Sequence, residues 1–208
     1  MKILLTSTFS KVGETLFRLT NKKAQNLSVA FIPTASNCYK EKPWIATDRN
    51  KLVQMGFKIA DIDLESESKE TLVQKLEKVD VIFVAGGNTL YLLSKSIDSG
   101  FKDLVKELIT KGKIYIGSSA GSILAGPSHE PFKEEELKEL GADFKLKSYD
   151  GVGLVDYVIV PHFNQKKYLE ESKATISKYK DRFKMRTLND NEAIIIDGPK
   201  EDLVSINL

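Results

Sequence analysis

Apolar residues in this chain gather into short runs separated by small and polar residues. Runs rich in β-branched side chains recur at Ile3–Leu5, Val29–Ile32, Val79–Val84 and Ile114–Ile116, each leading into a stretch of Gly, Ser, Thr, Pro or Asn. Runs this short, bounded by turn formers, predict strands buried on both faces. Ile59–Leu64 differs, because Ile59, Ile62 and Leu64 are interleaved with Asp61 and Asp63. That alternation predicts a half-exposed strand near a sheet edge. Between the runs, apolar residues adopt helical spacing: Trp44, Leu52, Val53 and Met55; Leu72, Val73 and Leu76; Leu90, Leu92 and Leu93; Phe101, Leu104, Val105 and Leu108. Strands alternating with amphipathic helices predict an α/β fold, a mostly parallel sheet with helices on both faces.

After Ile123 the pattern loosens. Lys133–Glu139 is a charge run that reads as a solvated helix face, and Asp150–Val160 is mostly apolar up to Pro161, His162 and Phe163. Gln165–Tyr179 carries Tyr168, Leu169, Ile176 and Tyr179 among lysines and glutamates, which predicts an amphipathic surface helix. Ala193–Ile196 and Leu203–Ile206 flank Asp197, Gly198 and Pro199 and predict a terminal hairpin. With no repeat and no low-complexity linker, residues 1–208 read as a single domain.

Composition narrows the partners more than the fold. Lys and Arg number 31 against 29 Asp and Glu, a formal charge of +2, too balanced for a nucleic-acid or membrane-surface footprint. The one cysteine, Cys38, excludes an intramolecular disulfide, fits a reducing compartment and reads as a plain buried or loop thiol. Met1–Phe9 lacks the apolar core of a signal peptide, and no run approaches a membrane span, so a cytoplasmic location is expected. Two distant histidines and a lone cysteine form no recognisable metal-ligand set, and no cofactor is expected. Helix faces of this pattern are compatible with a monomer or a homodimer.

The segment richest in chemistry is Lys113–Leu124. The strand Ile114–Ile116 runs into Gly117, Ser118, Ser119, Ala120, Gly121 and Ser122, and then into helical-looking Ile123 and Leu124. Gly117, Ser119 and Gly121 fit Gly-x-Ser-x-Gly in the strand-turn-helix context that lifts a serine oxygen toward substrate. The N–H of Ala120 is then a candidate donor to an oxyanion. A serine nucleophile needs a base, and the chain has only His129 and His162. His129, in the proline-flanked segment Pro127–Pro131, reads as an ordinary exposed residue. His162 follows Val158–Val160 and Pro161, at the end of an apparent strand, where catalytic groups of parallel α/β sheets gather. Asp150, Asp156, Asp190 and Glu192 are all candidates for the acid that orients such a histidine. A second glycine turn, Gly86-Gly87-Asn88-Thr89, could supply another oxyanion amide from Gly87, and as a phosphate motif it is weak.

Six segments together carry a resemblance to one family: Phe31–Ser36 (FIPTAS), Phe83–Leu93 (FVAGGNTLYLL), Tyr115–Gly121 (YIGSSAG), Tyr149–Leu154 (YDGVGL), Val160–Asn164 (VPHFN) and Leu188–Ile194 (LNDNEAI). The chain resembles the peptidase E family, the aspartyl dipeptidase-like serine peptidases whose relatives include cyanophycinase. The resemblance implies a flavodoxin-like α/β fold related to class I glutamine amidotransferases. It also implies a triad in the order Ser, His, then Glu or Asp. Ser119 matches the nucleophile, His162 the base, Asp190 the acid with Glu192 as the alternative, and Gly87 and Ala120 the oxyanion amides. Asn88 and Asn164, inside two of the matched segments, are expected at the substrate. Family members that cleave after an N-terminal Asp hold its side chain with an arginine after the histidine, whereas Gln165–Lys180 contains only lysines. The expected activity is that of a serine exopeptidase, a dipeptidase or aminopeptidase, on short peptides, with N-terminal Asp a candidate. The alternatives are a hydrolase of other acyl substrates, such as esters or isopeptides, and a catalytically silent flavodoxin-like binding module.

Overall fold

Adjacent residues of a strand point to opposite faces of its sheet, and in this protein both faces are covered. The computed structural model describes residues 1–141 and 143–206. In chain order the elements are β1 (Lys2–Thr6), α1 (Phe9–Val12), β2 (Ser28–Ile32), α2 (Pro43–Met55), β3 (Lys58–Asp61), α3 (Lys69–Glu77), β4 (Val81–Val84), α4 (Thr89–Asp98) and α5 (Phe101–Thr110). There follow β5 (Ile114–Ser118), α6 (Ala120–Leu124), α7 (Lys133–Leu140), β6 (Val158–Val160), α8 (Lys166–Tyr179), β7 (Met185–Thr187), β8 (Glu192–Asp197) and β9 (Lys200–Ser205).

Ile3 and Leu5 of β1 pack on one face with Ile82, Val84 and Tyr115, under Leu92, Leu93, Phe101 and Val105 of α4 and α5. Leu4, between them, joins Val29, Phe31, Phe83 and Ile116 on the other face, with Phe9, Val12 and Leu52 of α1 and α2. Burial on both faces explains why these strands read as unbroken apolar runs. Local signals set the helix ends. Ser68 Oγ accepts from Thr71 N–H at the start of α3, Pro43 opens α2, and Gly56 closes it in a left-handed conformation with φ 91°.

The seven-stranded sheet runs β3-β2-β4-β5-β1-β8-β9. Its first five strands are mutually parallel, and β8 and β9 add antiparallel. Counted from β2, the order is that of a flavodoxin-like sheet whose next place is taken by the N-terminal strand. Chain direction across the sheet reverses between β2 and β4, so the loops at the carboxyl ends of β2, β4, β5 and β1 open a crevice at one edge. The expected edge strand is β3, and the expected hairpin is β8–β9.

Two expectations change. The strand preceding His162 does not enter the main sheet; β6 pairs in parallel with β7 as a separate two-stranded sheet. Most of Asp150–Val160 is irregular, because its backbone bonds to the loop after α6, as in Gly151 N–H to Pro127 O and Leu154 N–H to Ala125 O. Cys38 is an exposed thiol in a loop, one of the two settings expected of it. His129 is the second correction, being fully buried instead of exposed. Its backbone N–H donates to Tyr149 O at 2.8 Å, and a bridge from Ser128 to Asp150 draws its loop inward.

Both ring nitrogens of His129 are buried without a hydrogen-bond partner. Burial, with a smaller contribution from the charge of Lys102, pushes its pKa from 6.5 down to about 3. Unfolding therefore takes up a proton between those values. The stability linked to His129 is complete above pH 6.5 and is lost as pH falls toward about 3, by about 1.4 kcal/mol per pH unit. Denaturant unfolding of wild type and His129→Leu at a series of pH values below neutrality should show the wild-type stability falling relative to that of the variant as pH falls. Curves that stay parallel contradict this account.

Candidate active site

The turn after β5 is held in a conformation that few residues adopt. Ser119 has φ 52° and ψ −110°, between the last residue of β5 and the first of α6. Such a backbone costs about 1–3 kcal/mol and persists only where its surroundings over-determine it. Here Ser119 N–H donates to Thr6 O of β1 at 2.9 Å. Ser122 Oγ accepts from Thr6 N–H and lies 2.8 Å from Thr6 O and 2.9 Å from Gly117 O. The flanking glycines are steric necessities. A Cβ on Gly121 would stand 2.0 Å from Val84 O, and one on Gly117 would stand 2.6 Å from the Gly121 backbone.

His162 Nε2 lies 2.9 Å from Ser119 Oγ, and its Nδ1 lies 2.7 Å from Asp190 Oδ1. The imidazole is brought there by a backbone that also has positive φ, 57° at His162. Its N–H donates to Ser7 Oγ at 3.1 Å, and Ser7 Oγ donates to Leu188 O at 2.7 Å. The second carboxylate oxygen of Asp190 accepts from Gln165 Nε2 at 2.6 Å and faces Lys11 Nζ at 3.3 Å. Burial alone would raise the Asp190 pKa. The hydrogen bonds from His162 and Gln165, with the charges of His162 and Lys11, outweigh it and hold the carboxyl well below the usual range. Asp190 is thus ionised across the neutral range and can fix the imidazole tautomer.

The other candidate acids lie elsewhere. Glu192 Oε2 accepts from Asn189 N–H at 2.8 Å, closing its own turn. Asp150 bonds Ser148, and Asp156 pairs with Lys184. Beneath the serine turn is a buried carboxylate that the residue pattern did not flag. Asp48 of α2 accepts from Ser118 Oγ at 2.8 Å and from Ser10 N–H at 3.0 Å, and burial raises its pKa despite these bonds. Ser7, Lys11, Asp48 and Gln165 carry no local motif, so only the fold reveals them.

The second glycine turn follows β4. Gly87 has φ 147°, and a Cβ there would lie 2.3 Å from the Ala35 carbonyl; one on Gly86 would lie 3.1 Å from Ser119 Cβ. Asn88 N–H donates to Ala35 O at 2.9 Å, and Ser36 Oγ donates to Gly86 O at 2.6 Å. Trp44 Nε1 in turn donates to Ser36 Oγ at 2.8 Å. The amides of Gly87 and Ala120 donate to no acceptor among the described residues, the state required of donors that receive a developing anion.

Two expected substrate contacts are otherwise engaged. Asn88 is fully buried, its Oδ1 capping α4 through Tyr91 N–H at 3.0 Å and its Nδ2 directed at Glu136 O and Glu139 Oε2. Asn164 Oδ1 accepts from Asp190 N–H at 3.0 Å and so holds the Asp190 backbone. The charge run of α7 is not uniformly solvated either. Glu136 accepts from Thr89 N–H at 2.8 Å, and its pKa is pushed up to about 8 by burial, against the Thr89 bond and with the nearby Glu139, Glu171 and Glu135 charges. Arg49, Arg182 and Arg186 are paired with Asp61, Glu130 and Glu201, and the cation at the site is Lys11. Among the described residues no cluster of three or more His, Cys, Asp and Glu is arranged to hold a metal, and no helix is long and apolar enough to cross a membrane.

Comparison with known proteins places this geometry in a family context. The sequence profile described as Peptidase family S51 matches residues 3–204. An uncharacterized peptidase of Pasteurella multocida is 32% identical over 95% of this chain and 94% of its own length. Peptidase E of Haemophilus influenzae is 30% identical over 65% of this chain and 58% of its own. Among solved structures, a protein assigned to peptidase E from Listeria monocytogenes superposes with a TM-score of 0.90 at 28% identity, covering 99% of this chain and 98% of that one.

Because a side chain at position 87 would collide with the Ala35 carbonyl at 2.3 Å, Gly87→Ala should displace the turn beside Ser119. The expected result is a loss of about tenfold or more in the rate at which a fluorophosphonate labels Ser119, in a protein that still folds. Unchanged labelling would mean that the Gly87 amide does not serve the site.

Proposed function

The chain belongs to peptidase family S51 and is a serine peptidase, and on that premise we propose that it is an exopeptidase of short peptides acting through Ser119, His162 and Asp190. The observation that carries this reading is the hydrogen-bonded line from Ser119 Oγ to His162 at 2.9 Å and from His162 to Asp190 at 2.7 Å.

In this mechanism His162 Nε2 takes the Ser119 proton as Oγ attacks the carbonyl carbon of the first peptide bond. The carbonyl π pair moves onto oxygen, and the amides of Gly87 and Ala120 receive that oxyanion. Asp190 remains ionised and stabilises the imidazolium. His162 then gives its proton to the leaving amine, the C–N bond breaks, and an acyl-enzyme forms on Ser119. Water, deprotonated by His162, attacks the ester and releases the acid and the free serine. His162 passes the proton it took from water to Ser119 Oγ as the ester bond breaks, so the base ends the cycle neutral.

Peptides with N-terminal Asp belong to the proposed substrates, although α8, which follows the base, offers lysines where a planar guanidinium would form a bidentate pair. The decisive assay is hydrolysis of dipeptides X-Leu, with X as Asp, Glu, Asn, Ala, Leu or Lys, by wild type and Ser119→Ala. Cleavage of Asp-Leu alone, lost in the variant, is the result expected of an aspartyl dipeptidase. Serine-dependent cleavage of several keeps the mechanism and removes the preference, and turnover that survives Ser119→Ala overturns the assignment.

The acid is tested separately. Asp190→Asn should lower kcat by about 10⁴-fold, the magnitude seen when a triad acid is replaced by its amide. Glu192→Gln should stay within a few-fold of wild type. The reverse ranking in two folded variants would transfer the role to Glu192.

A further inference from the structure

The segment Thr6–Lys11, which runs from the end of β1 through its connection into α1, touches every member of the proposed triad. Thr6 O accepts from Ser119 N–H at 2.9 Å, Ser7 Oγ accepts from His162 N–H at 3.1 Å, and Lys11 Nζ lies 3.3 Å from Asp190 Oδ2. The three anchors come from one short segment yet act on three different parts of the chain. We propose that this segment is the positioning element of the site, with Ser7 setting where the imidazole stands and Lys11 setting the charge balance of the Asp190–His162 pair. The inference rests on the peptidase reading and deepens it.

Ser7 closes a seam. Ser119 belongs to the main sheet, whereas His162 follows β6 and Leu188 follows β7, the strands of the small separate sheet. The Ser7 hydroxyl accepts from His162 and donates to Leu188 O at 2.7 Å, so one buried group ties the end of β1 to both strands of the other sheet. A hydroxyl has one proton to donate and lone pairs to accept with, and both capacities are used here. Without it the His162 backbone, at φ 57°, loses its bond to the main sheet. The Nε2 to Oγ distance is then set by packing and by the Asp190 bond, without the backbone anchor.

Lys11 acts through charge. Its side chain is 39% exposed, while that of Asp190 is 7% exposed. Among the described residues the charged groups facing the imidazole region are Asp190 itself, Lys11 of α1 and Asp48 of α2, and the titratable Tyr168 of α8 has its ring 5.6 Å from that of His162; Gln165 and Asn164 are neutral donor and acceptor to Asp190. α1 is tied to the serine turn by Asp48, which binds both Ser10 N–H and Ser118 Oγ, so Lys11 is delivered from a fixed base. The ionised Asp190 stabilises a protonated imidazole, and the Lys11 charge beside it offsets part of that field. With Lys11 removed, the base stays protonated to a higher pH, and the acid limb of the rate profile moves upward.

The rate of Ser119 phosphonylation by a fluorophosphonate tests both roles without a known substrate. It is measured on the whole chain across about pH 5 to 9, for wild type, Ser7→Ala, Ser7→Thr, Lys11→Met and Lys11→Arg, each with its thermal melting curve. Ser7→Ala should lower the plateau rate by about tenfold or more without moving the limb, and Ser7→Thr, which keeps the hydroxyl, should recover most of it. Lys11→Met should move the acid limb up by about half a pH unit or more, and Lys11→Arg should restore it. A Ser7→Ala rate within about twofold of wild type, or a Lys11→Met profile that drops without shifting, overturns the proposal. Should Ser7→Ala not fold, the partly exposed Lys11 decides the case. Failure of the probe to label wild type, or equal labelling of Ser119→Ala, defeats the peptidase reading itself and is distinguishable from either result.

Discussion

A serine held at φ 52° and ψ −110° is the constraint on which the carboxyl edge of this sheet depends. The strain is sustained by the Ser119 N–H bond to Thr6 O, and that bond exists because β1 lies beside β5 in parallel register, Thr6 opposite Ser118. Close packing completes the restraint, since the turn can approach β4 only if position 121 has no side chain. The geometry of Ser119 is thus a property of three neighbouring strands. A strand from the N-terminus of the chain, inserted between β5 and β8, is as much part of the site as the motif itself.

The proposed triad spans a seam between two sheets. The main sheet supplies Ser119 and the Gly87 turn, and the small β6–β7 sheet brings His162 to it. Asp190 sits on the turn between β7 and β8, where the chain returns to the main sheet. Electrostatics reinforce the arrangement. A buried carboxylate is costly unless it is paired and hydrogen-bonded, and Asp190 is satisfied by His162, Gln165, Lys11 and the Asn164 contact to its backbone. These bonds make the acid ionised and immobile together, which is what orienting an imidazole requires. A family profile matching residues 3–204 accords with this dependence, because the site draws on elements from β1 to the β7–β8 turn.

Much of the fold was legible as pattern. Strands buried on both faces appear as unbroken apolar runs, β3 betrays its edge position by alternating with aspartates, and β8–β9 announces itself by Gly198 and Pro199. The serine turn was legible because its glycines sit at fixed spacing around the serine in one strand-turn-helix segment, although the contact that demands Gly121 comes from Val84 of β4. Other features left no such mark. His129 sits in a polar-looking segment between prolines, and its burial follows from a bridge to Asp150, distant in the chain. Asn88 looks like a loop residue free to meet a ligand, yet capping α4 and bonding α7 occupy its amide. The charge run of α7 hides Glu136, because periodicity shows which residues are charged and not which neighbour covers them.

By itself, then, the sequence determined the alternation of strands and helices, the strand-turn-helix around Ser119 and the restriction of the base to two histidines. Those features rest on local sterics and on spacing along the chain. Tertiary structure alone decided that β6 leaves the main sheet, that Asp190 and not Glu192, Asp150 or Asp156 lies against His162, and that Ser7, Lys11, Asp48 and Gln165 surround the site. Each of these is a meeting of segments far apart in the chain, from Ser7 with His162 to Lys11 with Asp190. Hydrogen bonds between such segments depend on strand order and register, which no residue pattern within a single segment encodes.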